Sequence, residues 1–449
     1  MRKIVVNEKI KDFFLVLSII ATGSLFLFLY KTKHAINFIN LDELLWMYRS
    51  RFFIDSIFSL DFSHLIQSYH PGIMVMWVIG PFMKLLNYDF NLIVNFIASL
   101  NEAGIEYNII NDNSRNALIY SEYKTISFFL NIPIFSVIVL FIFSLYHLLG
   151  KLAIPKWAII FSLLLVTTTP YYIYFTTPTD KFLGIFSTLS ILSLLVYSSK
   201  KGSKKYLIYS AVFGSWAVLT KLSALFLIPF SLFILFFYER RLFTNLYSKN
   251  DFQKILQPIS KIISDYLAWI FTFLVTSVIF FPTILTNPQS VKTIIVGETS
   301  KRIVSESNSA FSLSAILQTY LFDPFILSFN LFVILIFIIF LLSIIKKIIT
   351  KKYVKDELQI LIIYFFSFFL FIIIFSKIYS FRYLVPILII FQIISGIGLY
   401  EITKNYNKIY NIKKKEEIYW WTIIFILVSQ GLIIHYTTIE TLENLPYFG

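Results

Sequence analysis

The sequence predicts an all-α polytopic membrane protein, and three observations carry that prediction. The 449 residues are 57% hydrophobic and only 14% charged, with a mean hydropathy of +0.76. A soluble domain is about 45–50% apolar and about 25% charged. The apolar excess is spread along the whole chain, in runs of membrane-crossing length separated by short basic segments. Fifty Phe and 28 Tyr also suit lipid and interface surroundings. One helical membrane domain, 1–449, is therefore expected. The chain has no cysteine, which excludes disulfides, thiolate catalysis and cysteine-ligated metals. Its net charge of +14 would suggest nucleic acid in a soluble protein. Here basic loops that orient helices explain it better, and no nucleic-acid partner is expected.

Taken in order, residues 12–30 form an apolar span preceded by Arg2, Lys3, Lys9 and Lys11. No small-x-small cleavage site follows, so the span reads as an uncleaved anchor with a cytoplasmic N-terminus. Residues 31–124 read as a first external loop. Within it, 72–88 is apolar but short and interrupted by Gly80-Pro81 and Lys84, so it reads as interfacial or re-entrant. Spans are then expected over 125–149, 157–175, 181–197, 206–220, 222–238 and 266–285. A second large external loop, 286–323, separates these from spans at 325–345, 357–376, 384–400 and 418–436.

The basic residues fix the expected orientation. Lys200, Lys201, Lys204 and Lys205 follow one span, Arg240 and Arg241 another, and Lys346 and Lys347 a third. Placing these clusters inside gives 11 spans, a cytoplasmic N-terminus and an external C-terminus, with most of the 39 basic residues in the cytoplasm. Making 72–88 a span would invert everything after it and put the short basic loops outside. The expected location is the plasma membrane. No internal repeat is visible, so an inverted-repeat transporter gets no support.

With that orientation, polar groups gather at the outer ends of spans. Asp42 and Glu43 follow the first span, and Trp46, Arg49 and Phe53 continue at helical spacing over a helix of 43–53. The acids suit an N-cap and first-turn position, and the segment suits a helix lying on the bilayer, whatever else they do. His70-Pro71-Gly72 is a turn by its Pro and Gly, where a lone His is often structural. Asp180, in Thr177-Pro178-Thr179-Asp180, stands at a span entrance and suits a helix start. Lys221 interrupts a long apolar run, where a cation is costly unless paired. Arg382-Tyr383 precedes the tenth span, where Arg382 is placed to snorkel. Acids and cations on one face suggest a site for an anionic substrate with acid/base chemistry beside it.

The set resembles the GT-C membrane glycosyltransferases, in particular the protein O-mannosyltransferase and aminoarabinose-transferase superfamily that uses polyprenyl-phosphate sugars. The resemblance rests on the acidic pair after the first span, the His-Pro-Gly turn and Thr-Pro-Thr-Asp180. Gly214 to Pro229 is similar to that family's Gly-x-x-x-Leu-Thr-Lys…Pro segment, and Arg382-Tyr383-Leu384-Val385-Pro386 to its Arg-Tyr-x-x-Pro motif. It covers most of the first 240 residues and one later motif; 241–375 carries no assignable motif.

The resemblance implies a GT-C-like fold and transfer of a sugar, with inversion, from a polyprenyl-phosphate donor to a glycan, lipid or protein acceptor on the outer face. It implies Asp42 as the base, with Glu43 as its partner. Arg382 and Lys221 would take the donor phosphate, and Asp180, His70, Tyr383, Trp46 and Arg49 would line the substrate pocket. No cofactor is implied with certainty; the aspartates are candidate ligands for a divalent metal, although their positions lack a recognisable ligand spacing. The competing readings are an O-antigen polymerase or ligase, which leans on arginine-rich outer loops, and a lipid-linked-glycan transporter, which places its ionisable residues near mid-membrane.

Overall fold

The computed structural model describes residues 10–25, 41–62, 65, 72–85, 115–168, 178–199, 203–247, 252–293, 324–350, 352–375, 384–409 and 415–440. At some helix ends, residues 41–44 among them, only the backbone is described. All regular structure among these residues is helical. Each of the eleven apolar segments contains a helix, and five helices are long and apolar enough to cross a membrane. The protein is accordingly an all-α membrane protein.

The helices are α1 (10–25), α2 (Leu41–Phe58), α3 (Ile73–Leu85), α4 (Arg115–Lys151), α5 (Lys156–Thr168), α6 (Pro178–Ser199) and α7 (Lys204–Thr220). After a 3-10 turn at Leu222–Phe226 come α8 (Leu227–Tyr247), α9 (Phe252–Phe280), α10 (Pro324–Ile349), α11 (Asp356–Phe375), α12 (Val385–Ile409) and α13 (Lys415–Glu440).

The bundle is built around α6. Every residue from Pro178 to Tyr197 is buried, including Ser187, Thr188, Ser190 and Ser193. Such small side chains let neighbouring helices approach closely where lipid supplies no hydrophobic drive. Helices α4, α7, α8 and α12 surround α6. Against α7 it runs antiparallel: Asp180 meets Lys221 at one end and Ser190 donates to the Ser210 carbonyl at 2.8 Å midway. Helix α9 runs parallel to α7, since Trp269 donates to Ser210 Oγ at 3.0 Å and Ser215 meets Ser277 at 2.9 Å. Gly214 leaves room for the Trp269 ring, whose atoms come within 3.0 Å of where a Cβ would stand. Helix α9 turns the rest of its surface outward: Ile263, Leu267, Phe271 and Leu274 are all more than half exposed. A stripe of that kind is uncommon on a soluble monomer and is what lipid contact requires.

Two sequence expectations change. Helix α9 begins at Phe252 rather than 266, because Lys254, Lys261 and Asp265 are spaced through an amphipathic helix and not along a loop. The expected interruption of 72–88 does not occur: α3 runs through Gly80-Pro81, with Val75, Met76, Ile79 and Met83 buried. Gly80 is there for a close approach, since a Cβ would stand 2.6 Å from the Ser50 carbonyl oxygen and 3.0 Å from Ile54 Cβ. Helices α2 and α3 lie side by side and parallel, with Trp46 at Gly72 near their starts and Asp55 at Lys84 near their ends.

Candidate functional site

Lys221 stands where α7 stops. Its backbone is extended, at φ −157° and ψ 133°, between the last residue of α7 and the 3-10 turn. Its N–H still closes the final helical turn on the Ala217 carbonyl at 2.9 Å, and its own carbonyl accepts from Ala224 at 3.1 Å. This break sets the ammonium free to point sideways. It donates to Asp180 Oδ1 at 2.6 Å, with side-chain exposures of 6% for Lys221 and 1% for Asp180. Asp180 lies in the first turn of α6, behind Pro178 at the helix start. That position suits a proline, whose missing N–H is not needed there, and a carboxylate, which favours the positive end of the helix. Thr179, Lys181 and Thr220 are buried around the pair.

Gly72 arrives at the same place. Gly72 donates its N–H to the Thr220 carbonyl at 3.1 Å, one residue before Lys221. Its φ of +54° lies in the left-handed region that glycine adopts at little cost. A Cβ there would stand 2.0 Å from two carbons of the Trp46 ring. Gly72 is therefore required twice, for its backbone and for the indole that covers it. Trp46 is 4% exposed, and the Arg49 guanidinium lies 5.0 Å from the centre of its ring.

Edge-to-face rings continue the contact across the bundle. Phe53 meets Trp77, Trp77 and Trp216 both meet Phe280, and Phe186 meets Trp216, with centroids 5.3–5.8 Å apart. Trp77 also donates to the Phe280 carbonyl at 2.8 Å, at the end of α9. These aromatics tie α2, α3, α9, α7 and α6 together beneath the ion pair. Sequence reasoning passed over Trp77, Trp216 and Phe280, whose only signal was aromatic residues near span ends.

The predicted residues thus divide into two groups. Trp46, Arg49, Asp180 and Lys221 come together, joined through Gly72 and Thr220. Asp42 and Glu43 occupy the first turn of α2, which starts at Leu41, earlier than the expected 43. Their side chains lie outside the described residues, as do His70, Arg382 and Tyr383. By helical periodicity Asp42 is one turn, about 6 Å, before Trp46, so the two positions share a face of α2. Arg382 and Tyr383 directly precede buried Leu384, where α12 begins its run along α5 and α6. Among the described residues no group of three or more His, Cys, Asp or Glu side chains is placed to hold a metal ion.

The sequence matches no known protein-family model, and no curated protein is similar to it.

Proposed function

We propose that the protein is a membrane glycosyltransferase of the GT-C kind. It moves a sugar from a polyprenyl-phosphate donor to a glycan, lipid or protein acceptor at the outer face of the membrane, with inversion. The observation that supports this reading best is the meeting of three separate segments. The helix carrying Asp42 and Glu43, Gly72 at the head of α3 and the Asp180–Lys221 pair are joined through Trp46 and Thr220.

In this reading the Asp42 carboxylate takes the proton of the acceptor hydroxyl. The freed oxygen attacks the anomeric carbon as the bond to the phosphate oxygen breaks, and the lipid phosphate leaves with both electrons. Its charge is met by Arg382, whose fork suits phosphate oxygens, and by the Lys221 ammonium. Glu43 holds the base in place. Asp180 acts by orienting Lys221, a more specific role than lining the pocket, while His70, Tyr383, Trp46 and Arg49 shape the cavity for sugar and acceptor.

Eleven crossings with residues 31–124 outside go with this function. The relative directions of α6, α7 and α9 are those that alternating crossings require. A cysteine placed at Asn101 of this cysteine-free chain reacts with an impermeant thiol reagent in intact cells. Labelling only after lysis would overturn that orientation.

The function itself is tested with the purified protein and a panel of radiolabelled polyprenyl-phosphate sugars. Consumption of one donor with release of prenyl phosphate is expected. Movement of lipid-linked sugar across vesicle membranes without consumption would replace the transferase with a transporter.

A further inference from the structure

We infer that the far ends of α2 and α3 form a second site, a seat for the phosphate headgroup of an anionic bilayer phospholipid. It begins at Arg51, about 8 Å along α2 from Trp46, and ends past Phe58, about 18 Å from Trp46, and it does not rest on the transferase reading.

Three observations build the seat. The first is charge. Asp55 accepts from Arg51 Nε at 2.9 Å and from Lys84 Nζ at 3.3 Å, so two cations share one carboxylate and a positive charge is left over. Asp61, exposed in the turn that follows, is the nearest other described acid along the chain. The second is an unmet donor. Among the described residues, Arg51 Nη1 has no hydrogen-bond partner, while the Arg51 side chain as a whole is 24% exposed. A partly exposed guanidinium that binds a carboxylate through Nε keeps further N–H donors, the kind of group that takes phosphate oxygens once the side chain turns toward the headgroup.

The third is the apolar display around these cations. Phe58 is 67% exposed, Leu60 74% and Leu85 82%. Lys84 Nζ sits 4.0 Å from the centre of the Phe58 ring, so the cation and the apolar surface form one patch. Leu60 is displayed at a cost: its φ is +57°, in the turn that closes α2, where Asp61 N–H reaches back to the Ser56 carbonyl. Helices that end this way ordinarily use Gly or Asn at that position. A strained, outward-facing leucine beside surplus cations is poorly suited to water. It is well suited to the headgroup boundary, where acyl chains meet apolar side chains and phosphates meet Arg and Lys. A soluble phosphate would satisfy the cations but leave Phe58, Leu60 and Leu85 in water, which favours the lipid. The seat would hold α2 and α3 at the level of the headgroups.

The test uses the full chain in detergent, with phosphatidylglycerol and phosphatidylcholine as probes and retained lipid counted by native mass spectrometry. Wild type is expected to retain phosphatidylglycerol in preference. The double variant Arg51→Gln/Lys84→Gln should lose that preference about tenfold, with phosphatidylcholine retention unchanged. Asp55→Asn should act in the opposite direction and raise phosphatidylglycerol retention, an increase that a fold defect would not produce. Equal preference in wild type and the double variant would overturn the seat. Displacement of phosphatidylglycerol by equimolar inorganic phosphate, or by equimolar polyprenyl phosphate, would also overturn the assignment to a bilayer lipid.

Discussion

The two ends of α6 handle charge in opposite ways. At the first turn Asp180 and Lys221 are bonded at 2.6 Å and sealed from solvent. At the last turn, Tyr197 donates to Asp265 at 2.6 Å, and beside them Lys261 pairs with Glu239 while half exposed. Asp12–Lys156 follows the second pattern, at 2.6 Å with 56% of the lysine side chain exposed, and Arg240–Asp356 at 3.4 Å is intermediate, an exposed arginine on a buried aspartate. Exposed pairs contribute about 0–1 kcal/mol each. A sealed pair carries a desolvation cost of several kcal/mol per ion, and well-packed apolar residues of like volume often serve stability as well or better. The exposed pairs suit helix ends at a wet boundary. The sealed pair is dear for a structural element alone, which is why function is assigned to that end.

The largest effect should come from splitting the sealed pair. Asp180→Asn or Lys221→Met strands one polar or charged partner and should lower folding stability by about 3–5 kcal/mol, read as a fall in the unfolding midpoint of the purified protein. Replacing both, as Asp180→Leu/Lys221→Met, should restore most of that stability while leaving sugar transfer absent. Recovery of transfer in the double variant would make the pair structural and erase the contrast between the two ends.

The next effect is at the turn. Gly72→Ala forces a Cβ into the Trp46 ring in a backbone conformation alanine disfavours, at a cost of about 2–3 kcal/mol. Transfer should fall further than stability predicts, because the joint between α2 and Lys221 opens. Trp77→Phe keeps an aromatic side chain but a smaller one, and it leaves the Phe280 carbonyl without its donor, for about 1–2 kcal/mol. At the opposite end Lys261→Gln should change stability by less than about 1 kcal/mol and leave transfer intact.

Much of the α6–α7 region was readable before the structure. Pro178 and Asp180 announce a helix start, and a cation inside an apolar run announces both the break at Lys221 and the need for a partner. The identity of the partner was not readable, since Asp180 lies 41 residues away in sequence and both residues had separate local explanations. The length of α9 was hidden because its first four turns mix charges with apolar residues. The parallel packing of α2 on α3 was hidden because it depends on Gly80 and Gly72, and a glycine in a sequence signals a break as readily as a close approach. The acids of α2 were legible as a pair at a helix start.

The most direct measurement is donor turnover by Asp42→Asn, using purified protein whose unfolding midpoint matches wild type. Removing the proposed base while keeping the shape should abolish sugar transfer and leave binding of the polyprenyl-phosphate sugar within a few-fold of wild type. Near-normal transfer by that folded variant would contradict the account, because the acid proposed as the base would then do no chemistry.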